Sequence, residues 1–225
     1  MDNLEFYQNN GYIILENVFN DEEIKIFRNE VLTYIKNNKT ISNAEGITIP
    51  DFIKYPEFNN LSKVKENEKI NQKLAEIFGG TNYHFCAHND IGINRIVGWH
   101  KDKLNGNYAK YETIDIWSTH NGEKHEIVKV LIYLQDHSKN NHALKLVPNS
   151  YSNRKIENKN FIQLKPKLGD VIIFDQRITH RGMDKQIKEK RILVSFGFGK
   201  NNIFTENFEK GTIQRQNDQN IIIKK

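Results

Sequence analysis

The sequence predicts an α+β fold, mainly β, in which helices buttress a β-sandwich or barrel. Three observations predict it. Ahead of Gly80, apolar residues recur at helical spacing. After Gly80 they fall into short β-branched runs separated by polar turns. No internal repeat or low-complexity linker divides the 225 residues, and the four prolines (50, 56, 148, 166) are scattered. The expectation is one domain, 1–225, with a helical buttress over about 20–80, a β-barrel core over about 81–200 and a C-terminal extension over about 201–225.

In "GYIILENVFNDEEI", Tyr12 to Leu15 reads as a short strand. Asn20 can cap the helix that follows, and Asp21, Glu22 and Glu23 set carboxylates against the positive end of its dipole. Ile24, Phe27, Val31 and Ile35 then form one apolar stripe. A second helix is expected around Glu66 to Phe78, with Ile70, Leu74 and Ile77 in register and Gly79 as its stop. The strands beyond it are "NYHFCAH", "IVKVLIYLQD", "HALKLVP", "DVIIFD" and "RILVSFGFG".

The 33 Lys and Arg against 28 Asp and Glu leave a surplus of +5, spread along the chain. That is a mild bias toward anions, without the concentrated stripe of a nucleic-acid surface. One cysteine, Cys86, excludes an internal disulfide and suits a reducing compartment. "MDNLEFYQNN" lacks the basic-then-apolar order of a signal peptide, and no apolar run reaches membrane-spanning length. A cytoplasmic protein without a membrane partner is expected.

In "GWHKDK", His100 and Asp102 are two apart, so an extended chain turns both toward one face. A third ligand is available in "DVIIFDQRITHRG", where an apolar strand runs through a polar turn to His180. Two histidines and one carboxylate on one side of an ion make the facial triad of non-haem Fe(II) oxygenases. Singly, an H-x-D is common by chance and His180 reads as a turn histidine; order and β context favour the pairing. Arg191, eleven positions after His180, opens the last strand. A guanidinium there suits a dicarboxylate, which it grips in a bidentate fork.

"GYIILENVFNDEEI", "GWHKD", "VKVLIYLQDHSKNNHALKLVPNSY", "GDVIIFDQRITHRG" and the final arginine occur in the order of the phytanoyl-CoA dioxygenase family, which the chain resembles from about Asn10 to about Phe198. The resemblance implies a double-stranded β-helix, a jelly-roll or cupin-like barrel flanked by N-terminal helices. It implies Fe(II), 2-oxoglutarate and O2 as cofactors, with succinate and CO2 released as a C–H bond of a small molecule is hydroxylated. His100, Asp102 and His180 become the iron ligands, and Arg191 the partner of the distal carboxylate of 2-oxoglutarate. Lys129 is a second candidate for a co-substrate contact, on the strand after H-x-D; the alternative is a solvent-facing lysine.

Departures bear on the co-substrate shell. The glycine-serine-histidine usual in the family is Pro148-Asn149-Ser150-Tyr151, and the asparagine-glycine turn is Asn140-Asn141-His142. Asn tolerates left-handed backbone angles, so both turns can survive without glycine. Leu193 stands where many related enzymes have serine. Asp102 weighs against halogenation, because related halogenases replace this carboxylate to admit halide.

His84, Cys86 and His88 alternate on one strand, but no fourth zinc ligand lies nearby, so packing or pocket lining is the expectation. His120, His125, His137 and His142 read as surface residues. Trp99, Trp117, Tyr108 and Tyr111 could line a pocket, with core packing as the default. The loop 103–126 and the segment 40–63 are candidates for shaping an entrance. Two rivals keep the barrel: an AlkB-like nucleic-acid demethylase, and a non-catalytic binding module. Against the first, no basic stripe with interleaved aromatics occurs; against the second stands the intact set of four site residues.

Overall fold

The computed structural model describes residues 3–38, 40–43, 46–103, 106–111, 113–185 and 187–224. A short helix, α1 (Asn3–Asn10), leads into β1 (Tyr12–Leu15) and then α2 (Asp21–Asn37). The predicted cap of α2 is complete. Asn20 Oδ1 accepts from the Glu23 amide at 3.0 Å, and the Glu23 carboxylate accepts from the Asn20 amide at 2.8 Å. The stripe of α2 buries Ile24, Phe27, Val31 and Tyr34, each aliphatic or aromatic side chain contributing about 1.5–3 kcal/mol.

The segment 40–63, a candidate for shaping an entrance, is built into the sheet edge and the core. It holds β2 (Ile41–Asn43), β3 (Gly46–Pro50) and short 3₁₀ turns whose Phe52, Phe58 and Leu61 lie in the core. Apolar residues in a stretch of low periodicity are sequestered here as turns rather than as a regular helix. The last of these turns leads straight into α3 (Glu68–Phe78), which ends on Gly79 in the left-handed conformation.

The remaining strands are β4 (Tyr83–Ile93), β5 (Ile127–Tyr133), β6 (Lys145–Leu146), β7 (Ile162–Gln163), β8 (Val171–Asp175), β9 (His180–Arg181) and β10 (Ile192–Lys200). Among the described residues a seven-stranded sheet has the order β1-β8-β5-β10-β4-β3-β2, and a three-stranded sheet the order β7-β6-β9. Every named strand pair is antiparallel.

β5 and β8 are buried along their whole length, which explains why they read as continuous apolar runs. The large sheet is covered on both faces. Val128, Val130, Ile132, Val171 and Ile173 pack on the side of α2 and α3, whereas Leu131, Tyr133, Ile172 and Phe174 face the small sheet. The gap between the sheets holds the site.

The C-terminal extension, with no structure predicted for it, is a helix, α4 (Ile203–Lys224), packed on β4. Its side chains were uninformative in sequence because the face it buries is largely polar: Thr205, Thr212, Gln216 and Asn220 lie beside Phe204 and Phe208. Gln216 donates to the Ala87 carbonyl at 3.0 Å, and Asn220 accepts from the Tyr55 hydroxyl at 2.9 Å.

Gly169 anchors the β1–α2 connection. Its carbonyl accepts from the Val18 and Phe19 amides at 3.0 and 3.1 Å, and its φ is +85°. An added Cβ would collide with the Phe19 carbonyl oxygen. Gly169→Ala is expected to destabilise by more than about 1 kcal/mol, lowering Tm by at least ~2–4 °C in a thermal melt. An unchanged Tm would contradict this role.

Candidate metal centre

The small sheet continues past its named strands. His100 and His180 form an isolated antiparallel bridge in which each amide donates to the other's carbonyl at 2.9 Å. Such a hydrogen-bonded pair sends both side chains to one face. The two imidazole centroids are 4.1 Å apart. The Asp102 amide donates to the Gln176 carbonyl at 3.0 Å, which keeps the chain extended and returns the carboxylate to the same face. Asp102 Oδ1 lies 3.4 Å from His100 Nε2 and 3.7 Å from His180 Nε2. One donor atom from each of the three residues lies within 4.8 Å of the others, the one such cluster of three or more among the described residues.

The outer nitrogens are tied back to the chain. His100 Nδ1–H donates to the Gly98 carbonyl at 2.8 Å, and His180 Nδ1–H to the Ile178 carbonyl at 3.0 Å. This leaves both Nε2 atoms directed at the Asp102 carboxylate; burial opposes a proton on His100, but its bond to Asp102 wins and raises the imidazole, and a cation would take that proton's place. Burial pushes His180 down to about 4, so it is neutral at neutral pH. Burial works to raise Asp102, but His180, Lys129 and His100 outweigh it and hold the carboxyl well below the usual range. An ionised carboxylate beside an aligned imidazole pair is a hard-donor and imidazole set suited to a divalent transition metal.

Lys101, between the two H-x-D ligands, was not singled out in the sequence. Its side chain points the other way, as strand alternation requires, and is buried. Nζ donates to the Arg177 carbonyl at 2.7 Å and to the Ser150 carbonyl, bolting the H-x-D segment to the turn that carries His180.

Arg191 is only 2 % exposed. Nε donates to the His142 carbonyl at 2.6 Å and one Nη to the Tyr133 hydroxyl at 2.8 Å. The other Nη makes no hydrogen bond among the described residues. Gln135 braces this end by accepting from the Ile192 amide at 2.8 Å and donating to His137 Nε2 at 2.9 Å. His137 and His125, expected at the surface, are instead buried, and burial pushes each down to about 4. The glycine-poor turns are held as expected or by side chains. Asn149 takes φ +60°, and Asn140 Oδ1 accepts from the His142 amide at 2.9 Å.

A cavity of about 240 Å³ connects these groups. His100, Asp102, His180, Arg191 and Lys129 all line it, with Leu131, Leu144, Phe174 and Leu193 as its apolar wall. Thr48, from the segment 40–63, also reaches it. Trp99, Trp117, Tyr108 and Tyr111 do not line it: Trp99 packs at a tilt against Phe161, Trp117 Nε1 donates to the Tyr151 carbonyl, and the two tyrosines pack near Phe208. His84, Cys86 and His88 diverge. His84 meets Glu209 at the surface, Cys86 is fully buried, and His88 lines the cavity. Among the described residues no helix is long and apolar enough to cross a membrane.

Residues 7–186 match the family model of phytanoyl-CoA dioxygenase (PhyH). The chain belongs to the phytanoyl-CoA dioxygenase family. No curated protein matches the sequence. Solved structures are similar in fold at low identity. HygX from Streptomyces hygroscopicus, solved with nickel and 2-oxoglutarate, aligns with a TM-score of 0.68 at 15% identity, covering 88% of this chain and 86% of that one. The epimerase SnoN, in complex with Fe3+, alpha ketoglutarate and nogalamycin RO, aligns with a TM-score of 0.66 at 10% identity, covering 88% and 82%. The carbocyclase SnoK, from nogalamycin biosynthesis, gives 0.65 at 14% identity, covering 88% and 82%. The expected double-stranded β-helix of the family is the fold seen here, with its two sheets enclosing the triad.

Replacing Lys101 with methionine keeps the length of the buried stem but leaves two carbonyls without their donor. Each unsatisfied group costs about 1–3 kcal/mol, so Lys101→Met is expected to lower Tm by several degrees. A variant as stable as the parent would show that the bolt carries no weight.

Proposed function

We propose that this phytanoyl-CoA dioxygenase family member is an Fe(II)- and 2-oxoglutarate-dependent dioxygenase that hydroxylates a C–H bond of a small molecule. The observation that carries this reading is the shared cavity, in which the His100–Asp102–His180 cluster and the Arg191 guanidinium face the same space. The donor set fits a ferrous ion: two aligned Nε2 lone pairs and one ionised carboxylate leave room for further ligands on the open side.

With 2-oxoglutarate and O2, the bound iron supplies the oxidising power for hydroxylation, releasing succinate and CO2. The chain supplies position and exclusion of water. Arg191 holds the distal carboxylate of the co-substrate; the unengaged Nη completes the fork, while the Nε bond to the His142 carbonyl and the bond to the Tyr133 hydroxyl fix its plane. Leu131, Leu144, Phe174 and Leu193 sheathe the intervening methylenes. Leu193 replaces the serine usual in relatives; it pairs with Tyr133 on the neighbouring strand, whose hydroxyl accepts from Arg191. Lys129 stands toward the triad, away from Arg191, and is not needed for the distal carboxylate.

HygX with hygromycin B and SnoN with nogalamycin RO are relatives in fold that hold small molecules, which supports a small-molecule substrate here. The retained Asp102 weighs against halogenation, because a halide would have to compete with an anionic ligand for the ion. Asp102→Ala is expected to reduce iron-dependent succinate formation about 100-fold or more, because even outer partners of metal ligands cost ~10–100-fold. Succinate measured with wild type and variant at matched Fe(II) checks this. Undiminished turnover would remove the basis of the assignment.

A further inference from the structure

Lys129 is buried to 3 % exposure on the inward face of β5, yet among the described residues its ammonium makes no hydrogen bond and no ion pair. Nζ lies 5.2 Å from the ring centroid of Phe208 on α4. Burial lowers its proton affinity, and Asp102 and Asp90 oppose that only from beyond hydrogen-bond distance, so a buried cation placed this way gains from an anion that docks on it directly.

The other charges around the cavity are engaged, including Arg95, which donates to the Thr48 hydroxyl. Asp90, although burial opposes its ionisation, is pulled down to about 2, first by Arg215. Arg215, from α4, holds it at 2.9 Å. Burial pushes His88 down to about 3, so it is neutral, and its Nε2 lies 3.1 Å from the Ser195 hydroxyl. Asp102 belongs to the metal cluster. If the co-substrate binds as proposed above, its two carboxylates meet Arg191 and the ion, whose charge Asp102 already halves. That set is neutral without Lys129.

Position separates Lys129 from the Arg191 end. On β10, Gly197 pairs with Lys129, while Leu193 pairs with Tyr133 and the Ile192 amide reaches Gln135. Six residues of strand therefore separate the levels of Lys129 and Arg191, roughly 20 Å of backbone. At the Lys129 end, β4 bulges: Phe196 and Phe198 flank Gly197 on one strand, opposite Asn89 and Phe85 on the other. Ala87 takes φ +58° within that bulge. A Cβ on Gly197 would come within 2.9 Å of His88 Cβ and 3.0 Å of Cys86 Sγ, so glycine is what allows the bulge to close against β10. The bulge turns His88 into the cavity beside Lys129.

We propose that Lys129 is the anchor for the primary substrate, a small molecule bearing a carboxylate or a phosphate monoester that docks on its ammonium near the metal cluster. The inference rests on the co-substrate reading under Proposed function and names the substrate class for that site. Size agrees: a cavity of about 240 Å³ that must also hold the co-substrate is below the roughly 300–1,000 Å³ of ordinary ligand sites. A lysine serves such a group as a point charge, without the planar fork that Arg191 provides for the dicarboxylate.

The test uses the full chain loaded with Fe(II). Small carboxylic acids and phosphate monoesters are compared with their amides and parent alcohols as stimulators of succinate release. The 2-oxoglutarate affinity is measured separately by anaerobic calorimetry. Acids of one arm, carboxylate or phosphate, are expected to stimulate, and their neutral counterparts are not. Lys129→Met should raise the KM of the stimulating acid at least about tenfold while the Kd for 2-oxoglutarate moves less than about twofold, and Lys129→Arg should recover part of the loss. Equal stimulation by neutral analogues, no stimulation by either acid arm, or a Lys129→Met defect confined to 2-oxoglutarate would overturn the proposal. A wild-type protein that fails to bind 2-oxoglutarate would instead overturn the co-substrate reading beneath it.

Discussion

The reciprocal backbone bonds between His100 and His180 are the constraint on which the site depends. They join two segments far apart in sequence and, because a hydrogen-bonded antiparallel pair presents both side chains on one face, they align the imidazoles without help from a metal. The next rung, from the Asp102 amide to the Gln176 carbonyl, brings the carboxylate into the same place. Lys101 then fastens the back of this ladder to the neighbouring turn. The preorganisation is mostly backbone, and the side chains inherit their direction from it.

The rest of the fold holds that ladder against a rigid wall. The large sheet packs its outer face on α2 and α3 and turns alternate residues of β5, β8 and β10 inward. Along β5 this yields a graded surface: Tyr133 with Arg191 at one end, Leu131 in the middle, Lys129 at the other. The polarity of the cavity thus follows from strand alternation. α4 completes it from outside, placing Arg215 on Asp90 and Phe208 under Lys129.

Much of this was legible in the sequence, for definite reasons. The period of α2 and its cap are local signals and need no tertiary information. The H-x-D segment and the distal histidine stand out because ligand chemistry limits residue type and spacing, and the structure brings those residues together. Arg191 is visible because it opens an otherwise apolar strand. What was not legible depends on long-range partners. The segment 40–63 carries no strong period, yet it adds two strands to the sheet edge. α4 buries a polar face whose partners, the Ala87 carbonyl and the Tyr55 hydroxyl, are remote in sequence. His125 and His137 look like surface residues until their remote partners, the Gln176 side chain and the Pro166 carbonyl, are seen. Tyr133 was read as a strand residue, and only register shows that it supports Arg191.

The central claim, three side chains sharing one ferrous ion that chelates a keto acid within reach of Arg191, has a direct optical test. Fe(II) is added to the metal-free protein in the absence of oxygen, followed by 2-oxoglutarate, while the visible spectrum is recorded. The account predicts a charge-transfer band that grows with 2-oxoglutarate and saturates at one ion per chain. A protein that stays colourless with both present would contradict it, and would leave the barrel as a binding module.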